Sequence, residues 1–205
     1  MFDLHNKRQK AFHQALSSLS APEETHCAIP FFADDEIAAM VADTKGLDFR
    51  QAQNVVGNNV HQDMRVCFPA PRIASFEACA SLLEAGVNSW PDRAKFMQQP
   101  LYLNDFAVQD YPANSKGIGI HKDGLRYKYL VFIITLNGRS RLFHSTMREG
   151  AERLVIDDWP GQLVILKAPN FKGFDSDRRL LHGVDNVTDG RLSIGFRHEV
   201  LASTD

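Results

Sequence analysis

Gly117-Ile118-Gly119-Ile120-His121-Lys122-Asp123 is the stretch from which the chain is best read. At a period of two, Ile118 and Ile120 point to one side of a strand, and Gly117, Gly119, His121 and Asp123 point to the other. A half-buried strand ordinarily sets a solvated polar face against its apolar one. Here the polar face carries an imidazole and a carboxylate two positions apart, a spacing that lets both grip one cation. The two glycines read as space beside that cation. A second histidine from elsewhere would complete two imidazoles and one carboxylate, the facial set that leaves iron(II) with open positions.

Around this stretch the chain changes texture. After Pro100, short β-rich runs alternate with turn residues: 102–111, 117–122, 128–136, 140–144, 152–156, 162–167, 179–184 and 191–199. Turn chemistry separates them at Pro112-Ala113-Asn114, Asn137-Gly138, Trp159-Pro160-Gly161 and Asp189-Gly190. Runs of this kind predict a barrel or jelly roll, which closes or covers its edges. Before Pro100 the periodicity is helical. Helices are expected at 5–20, with Phe12, Leu16 and Leu19 on one face, at 36–45, capped by Asp34 or Asp35, and at 72–85. The segment between, with Pro22 and Pro30, reads as a loop. Val60 to Phe68 has strand composition, and Asp92 to Gln99 reads as a helical turn. The fold class is therefore α+β, mainly β. The chain reads as one domain, 1–205, with a helical N-terminal part (1–100) buttressing a β core (101–200).

Composition narrows the function classes. The chain has 205 residues and a formal net charge of −2, which gives no general reason to expect nucleic acid or an anionic membrane as partner. The start lacks an apolar signal core, and the longest apolar run, Leu130 to Ile134, is far short of a membrane span. Three cysteines without a close pair point to reduced thiols and a cytoplasmic location.

The last run repeats the two-faced pattern. Arg191, Ser193, Gly195 and Arg197 share one face, and Leu192, Ile194 and Phe196 share the other. Two guanidiniums aimed into a barrel need an anion, because an unpaired buried charge is expensive, and a planar carboxylate held bidentately is the natural guest. The remaining ligand candidate is His182, nine positions before Arg191.

The pattern His121-x-Asp123, then His182, then Arg191-x-Ser193-x-x-x-Arg197 resembles the iron(II)- and 2-oxoglutarate-dependent dioxygenases, most of all their AlkB-like branch. Tyr111, Gly117/Gly119 and Arg191/Arg197 occupy places that branch fills with a tyrosine, a glycine-rich approach and paired arginines. The run Gly161-Gln162-Leu163-Val164-Ile165 resembles the strand that precedes the distal histidine. The likeness covers residues 100–199.

That resemblance implies a double-stranded β-helix. It implies iron(II) on His121, Asp123 and His182, and 2-oxoglutarate with its far carboxylate on Arg191, helped by Ser193 and Tyr111. Arg197 would sit near the metal-side carboxylate or orient Asp123. Dioxygen would be the oxidant, and the co-substrate would leave as succinate and CO2. A carboxylate at Asp123 points to hydroxylation or oxidative demethylation rather than halogenation. The expected substrate is a small molecule. A methylated base in DNA or RNA is less favoured, because Leu125 stands where the repair enzymes carry an acid and no basic run fills residues 47–70. A cupin-like metal- or ligand-binding module without turnover is the third reading. Asn58-Asn59-Val60-His61-Gln62 and the loop Gly124 to Tyr129 are the expected lid elements, by position. The second H-x-D, His61 and Asp63, and the histidines His144 and His198 read as structural. Arg178 and Arg179 read as solvated loop arginines.

Overall fold

A computed structural model describes residues 2–57, 59–150 and 152–200. The helices are α1 (Asn6–Leu19), α2 (Asp34–Thr44), α3 (Ala74–Asn88) and the single turn α4 (Arg93–Phe96). The strands of the first hundred residues are β1 (His26–Pro30), β2 (Arg50–Gln51), β3 (Val55–Val56), β4 (Val60–Asp63) and β5 (Arg65–Cys67). Those of the second half are β6 (Asp105–Tyr111), β7 (Gly117–His121), β8 (Tyr127–Gly138), β9 (Arg141–Ser145), β10 (Leu154–Val155), β11 (Gln162–Lys167), β12 (Leu181–Asp185) and β13 (Arg191–Glu199). They build two antiparallel sheets. The larger runs β1-β11-β8-β13-β6-β5-β2 and the smaller β10-β9-β12-β7-β4-β3. This is the expected jelly roll.

The large sheet separates two cores by strand alternation. Leu192, Ile194 and Phe196 of β13, Phe132 and Ile134 of β8, and Leu163 and Ile165 of β11 turn outward to Phe12, Leu16, Met40, Phe76 and Leu83 of the helices. Val131, Val164, Leu166 and Tyr111 turn inward and meet Ile118, Leu142 and Val184 of the small sheet. The helices are pinned to one another by a buried ion pair: Arg8 of α1 donates to both carboxylate oxygens of Glu36 at 2.8 and 2.7 Å. Glu36 also accepts from the Ala33 N–H at 2.9 Å. Ala33 is thus the N-cap of α2, and Asp34 and Asp35 lie in its first turn rather than capping it.

The N-terminal part is not simply helical, and this corrects the sequence reading. It supplies five strands, which extend both sheets. His26–Pro30, read as loop, is the edge strand of the large sheet, where proline is tolerated because one side needs no ladder partner. Val60 to Phe68, read as one run, breaks at Met64. β4 joins β7 in the small sheet, and β5 joins β6 in the large one. Among the described residues no helix is long and apolar enough to cross a membrane.

Gly117 marks the tightest approach between strands. Its φ is +79°, and a Cβ there would lie 1.8 Å from the Val184 carbonyl oxygen of β12. Gly173, with φ +81°, has nothing within 4 Å of such an atom. Gly173→Ala should therefore cost about 1 kcal/mol, the left-handed backbone penalty alone, or about 2–4 °C in melting temperature. Gly117→Ala should cost about 3 kcal/mol or more, about 6–12 °C, because it adds a steric collision to the same penalty. Equal shifts in the two melting curves would show that the approach of β12 is not what demands glycine.

Candidate metal centre

β7 and β12 are neighbours in the small sheet, and their register sets His121 opposite His182. The register then slips: the next pair is Ile118 with Val184, three positions along β7 against two along β12. This β-bulge overturns strict alternation in the opening stretch. Ile118 and His121, an odd number of steps apart, both face the interior and line the same cavity. The glycines work between strands rather than beside a cation. Gly117 admits the β12 backbone, and a Cβ on Gly119 would touch the His61 backbone of β4 at 3.4 Å.

The ligand atoms of His121, Asp123 and His182 lie within 4.8 Å of one another, the only such group among the described residues. Asp123 Oδ2 stands 3.9 Å from His182 Nε2, and the two imidazole centroids are 4.4 Å apart. Each ring is oriented by a backbone acceptor. His121 Nδ1 donates to the Gly119 carbonyl at 2.9 Å, and His182 Nδ1 donates to the Leu180 carbonyl at 3.1 Å. A carbonyl only accepts, so the proton stays on Nδ1 and the Nε2 lone pair is left for a cation.

The local electrostatics favour the same state. Burial, reinforced by His182, lowers the His121 pKa to about 4, against the pull of Asp123, so this imidazole is neutral near pH 7. Burial works against the Asp123 carboxylate, yet His182, Arg197 and His121 together hold its pKa below the usual range. The Asp123 backbone carbonyl accepts from Arg179 Nη1, whose Nε donates to the Ser176 carbonyl at 2.7 Å. Arg179 is thus a brace for the loop that carries Asp123. Arg178 bonds the carbonyls of Pro22 and Glu23 at 2.7 and 3.1 Å.

Behind the three side chains lies a narrow recess walled by Gln109, Tyr111, Val131, Ile133, Leu142 and Arg191. Arg191 is 2% exposed and donates through Nη2 to Asp158 Oδ2 at 2.8 Å. Thr135 Oγ1 donates to the same oxygen at 2.8 Å. Arg191 Nε and Nη1 and Ser193 Oγ are buried without a hydrogen-bond partner. Ser193 is not itself among the recess walls. Tyr111 is a wall: Arg191 stands 5.9 Å from its ring centroid, and its hydroxyl donates a long bond to Gln109 at 3.4 Å. Arg197 donates to Asp105 at 3.0 Å and stands 5.1 Å over the Tyr127 ring. A Cβ on Gly195 would lie 3.0 Å from the Arg197 guanidinium, so this glycine makes its room.

Asp158, Asp105 and Thr135 were missed in the sequence, which shows that an inward arginine needs an acid but not which acid folds against it. In front of the cluster a cleft of about 770 Å³ opens to solvent, with His121, Asp123 and Arg197 on its floor. Of the expected lid elements, Val60, Gln62, Gly124, Arg126 and Tyr127 line it. His61 and Leu125 are exposed and do not, and Asn58 lies outside the described residues. The second H-x-D takes no part, since Asp63 accepts from the Lys116 N–H at 2.7 Å. The His144 ring packs on His26 with centroids 4.6 Å apart, and His198 lies 5.5 Å from Tyr129.

No family model matches the sequence, and no curated protein sequence matches it. Solved structures do match in three dimensions. A Trichoplax adhaerens prolyl hydroxylase, in complex with a hypoxia inducible factor oxygen degradation domain peptide, is 17% identical. It aligns over 94% of this chain and 90% of its own, with a TM-score of 0.64. A Burkholderia pseudomallei oxidoreductase of the 2OG-Fe(II) oxygenase family is 13% identical over 97% and 92%, with a TM-score of 0.61. OsALKBH1 is 13% identical over 85% and 98%, with a TM-score of 0.60. The AlkB type is therefore one branch among several that share this architecture, and the fold of this chain is the jelly roll of the 2OG-Fe(II) oxygenases.

Proposed function

We propose that this chain is an iron(II)- and 2-oxoglutarate-dependent dioxygenase that hydroxylates, or oxidatively demethylates, a small-molecule substrate. One observation carries the reading: two imidazoles with free Nε2 lone pairs and one carboxylate converge, and behind them a recess contains a half-paired arginine. The donor set fits the metal. Two nitrogens and one carboxylate oxygen suit iron(II) and leave coordination positions open. The recess fits the co-substrate, since Arg191 keeps the nitrogens Nε and Nη1 buried without a partner, and a carboxylate oxygen is the acceptor that a buried guanidinium donor calls for. Iron(II), 2-oxoglutarate and dioxygen together supply oxidation of a C–H bond, with succinate and CO2 as the other products.

The protein's own groups do the positioning. His121 and His182 offer their Nε2 atoms, and Asp123 supplies the negative charge that a divalent ion requires. Arg191 would pair with the distal carboxylate of 2-oxoglutarate, and Asp158, which also accepts from Thr135, holds its guanidinium in place for that pairing. Val131, Ile133, Leu142 and Val184 make the remaining walls apolar, which excludes water and strengthens the charge–charge contact. Arg197 balances Asp123 from the β13 side. A small molecule ranks above a base in DNA or RNA because Leu125, not an acid, follows Asp123 by two positions and is exposed.

His182→Ala should abolish iron(II) binding in an anaerobic titration, a loss of at least about 100-fold, because two ligands no longer define the facial set. Arg191→Ala should leave iron binding intact and raise the half-saturating 2-oxoglutarate concentration at least about tenfold in a succinate-release assay. If both variants consumed 2-oxoglutarate like the parent, the residue assignments would be wrong. A parent protein that binds metal yet releases no succinate, even uncoupled, would instead be a binding module.

A further inference from the structure

The cleft in front of the metal cluster has a charge that its surroundings do not neutralise. Five cations line it: Arg50, Lys122, Arg126, Arg148 and Arg197. Asp123 is the one acid among its described walls. Three of the cations are already engaged: Arg197 with Asp105, Arg126 with Glu199 at 2.8 Å, and Lys122 with the Asp177 carbonyl. The guanidiniums of Arg50 and Arg148 have no hydrogen-bond or ion-pair partner among the described residues, and both residues are exposed. They come from different elements. Arg50 lies on β2, at the end of the large sheet, and Arg148 follows β9 of the small sheet. The space they line is mixed, with Val56, Val60, Val66 and Phe68 on its walls beside Gln53, Gln62 and Gln109.

A lone exposed arginine is ordinary. Two uncommitted guanidiniums from opposite sheets, in one concave space whose floor is the reacting centre, form an electrostatic trap for an anion. We propose that the prime substrate is a small organic anion. Its carboxylate or phosphate is taken between Arg50 and Arg148, its apolar part lies on Val56, Val60 and Phe68, and its oxidisable carbon is thereby held towards His121 and Asp123. This rests on the dioxygenase reading for the reaction but not for the binding. The cleft volume of about 770 Å³ suits a metabolite-sized guest.

Binding separates the two claims. The probes are inorganic phosphate and glycerol 3-phosphate, with glycerol as the uncharged match. They are titrated into the protein with and without iron(II) and 2-oxoglutarate, the loaded form keeping the probes off Arg191. Both anions should bind and glycerol should not. Arg50→Gln and Arg148→Gln should each weaken glycerol 3-phosphate at least about tenfold, the loss of one charge-assisted contact. Lys45→Gln, the same charge change at the exposed C-cap of α2, should not. Melting temperatures and iron titrations of the variants should match the parent, since neither side chain is buried or paired. Anion binding that is absent in the parent, or unchanged in Arg50→Gln and Arg148→Gln, overturns the proposal. So does an oligonucleotide carrying 1-methyladenine that binds more than 100-fold tighter with a steep salt dependence, because that transfers the cleft to nucleic acid. Anion capture without succinate release would overturn the dioxygenase reading and leave the anion site standing.

Discussion

The pairing of β7 with β12 is the contact on which the site depends. It sets His121 directly opposite His182, and one extra residue in β7 returns the strand to its partner's register by Val184. Without that bulge, Ile118 and His121 would face opposite sides, and the cavity would lose either its apolar wall or its imidazole. The pairing is close enough at Gly117 that the β12 carbonyl occupies the place of a side chain. The backbone carbonyls of Gly119 and Leu180 then fix both rings through Nδ1. Strand pairing, ring orientation and tautomer are thus set by one local piece of backbone.

The opposite wall obeys a different constraint. β13 lies between β8 and β6 in the large sheet, and its two faces are buried, one in the helix-side core and one in the interior between the sheets. Its apolar face fills the helix-side core, while its inward face carries two arginines that must be compensated. Asp158 and Asp105 each take one. Compensation is partial at Arg191, where the nitrogens Nε and Nη1 stay without a partner. Buried donors of this kind are costly unless something accepts from them, and that cost gives the recess its demand for a carboxylate.

The first hundred residues give the molecule its second compartment. Strands β2 to β5 extend both sheets past the eight strands of the second half and carry Arg50, Val56, Val60, Gln62 and Phe68 onto the cleft wall. The inner recess is built from the β-rich half, and the outer cleft shares its walls between that half and residues 50–68, whose strands are short with little periodicity to read. The inner compartment was therefore visible in the sequence as a spaced set of residues. The outer one became visible only when strands of two to four residues found their partners.

From periodicity and spacing the amino-acid sequence by itself determined a barrel or jelly roll, the outward and inward faces of β13 and the candidate pair His121 and Asp123, with His182 as the further candidate; the resemblance to the iron(II)- and 2-oxoglutarate-dependent dioxygenases narrowed the first to a double-stranded β-helix and joined the three as one ligand set. The sequence did not determine the bulge at Ile118–His121, the separation of β4 from β5, or the choice of Asp158 and Asp105 as partners of the two arginines. Those are settled between segments far apart in the chain. There, the only requirement local chemistry imposes is that each buried charge and each backbone group be satisfied, and tertiary packing selects the group that satisfies it.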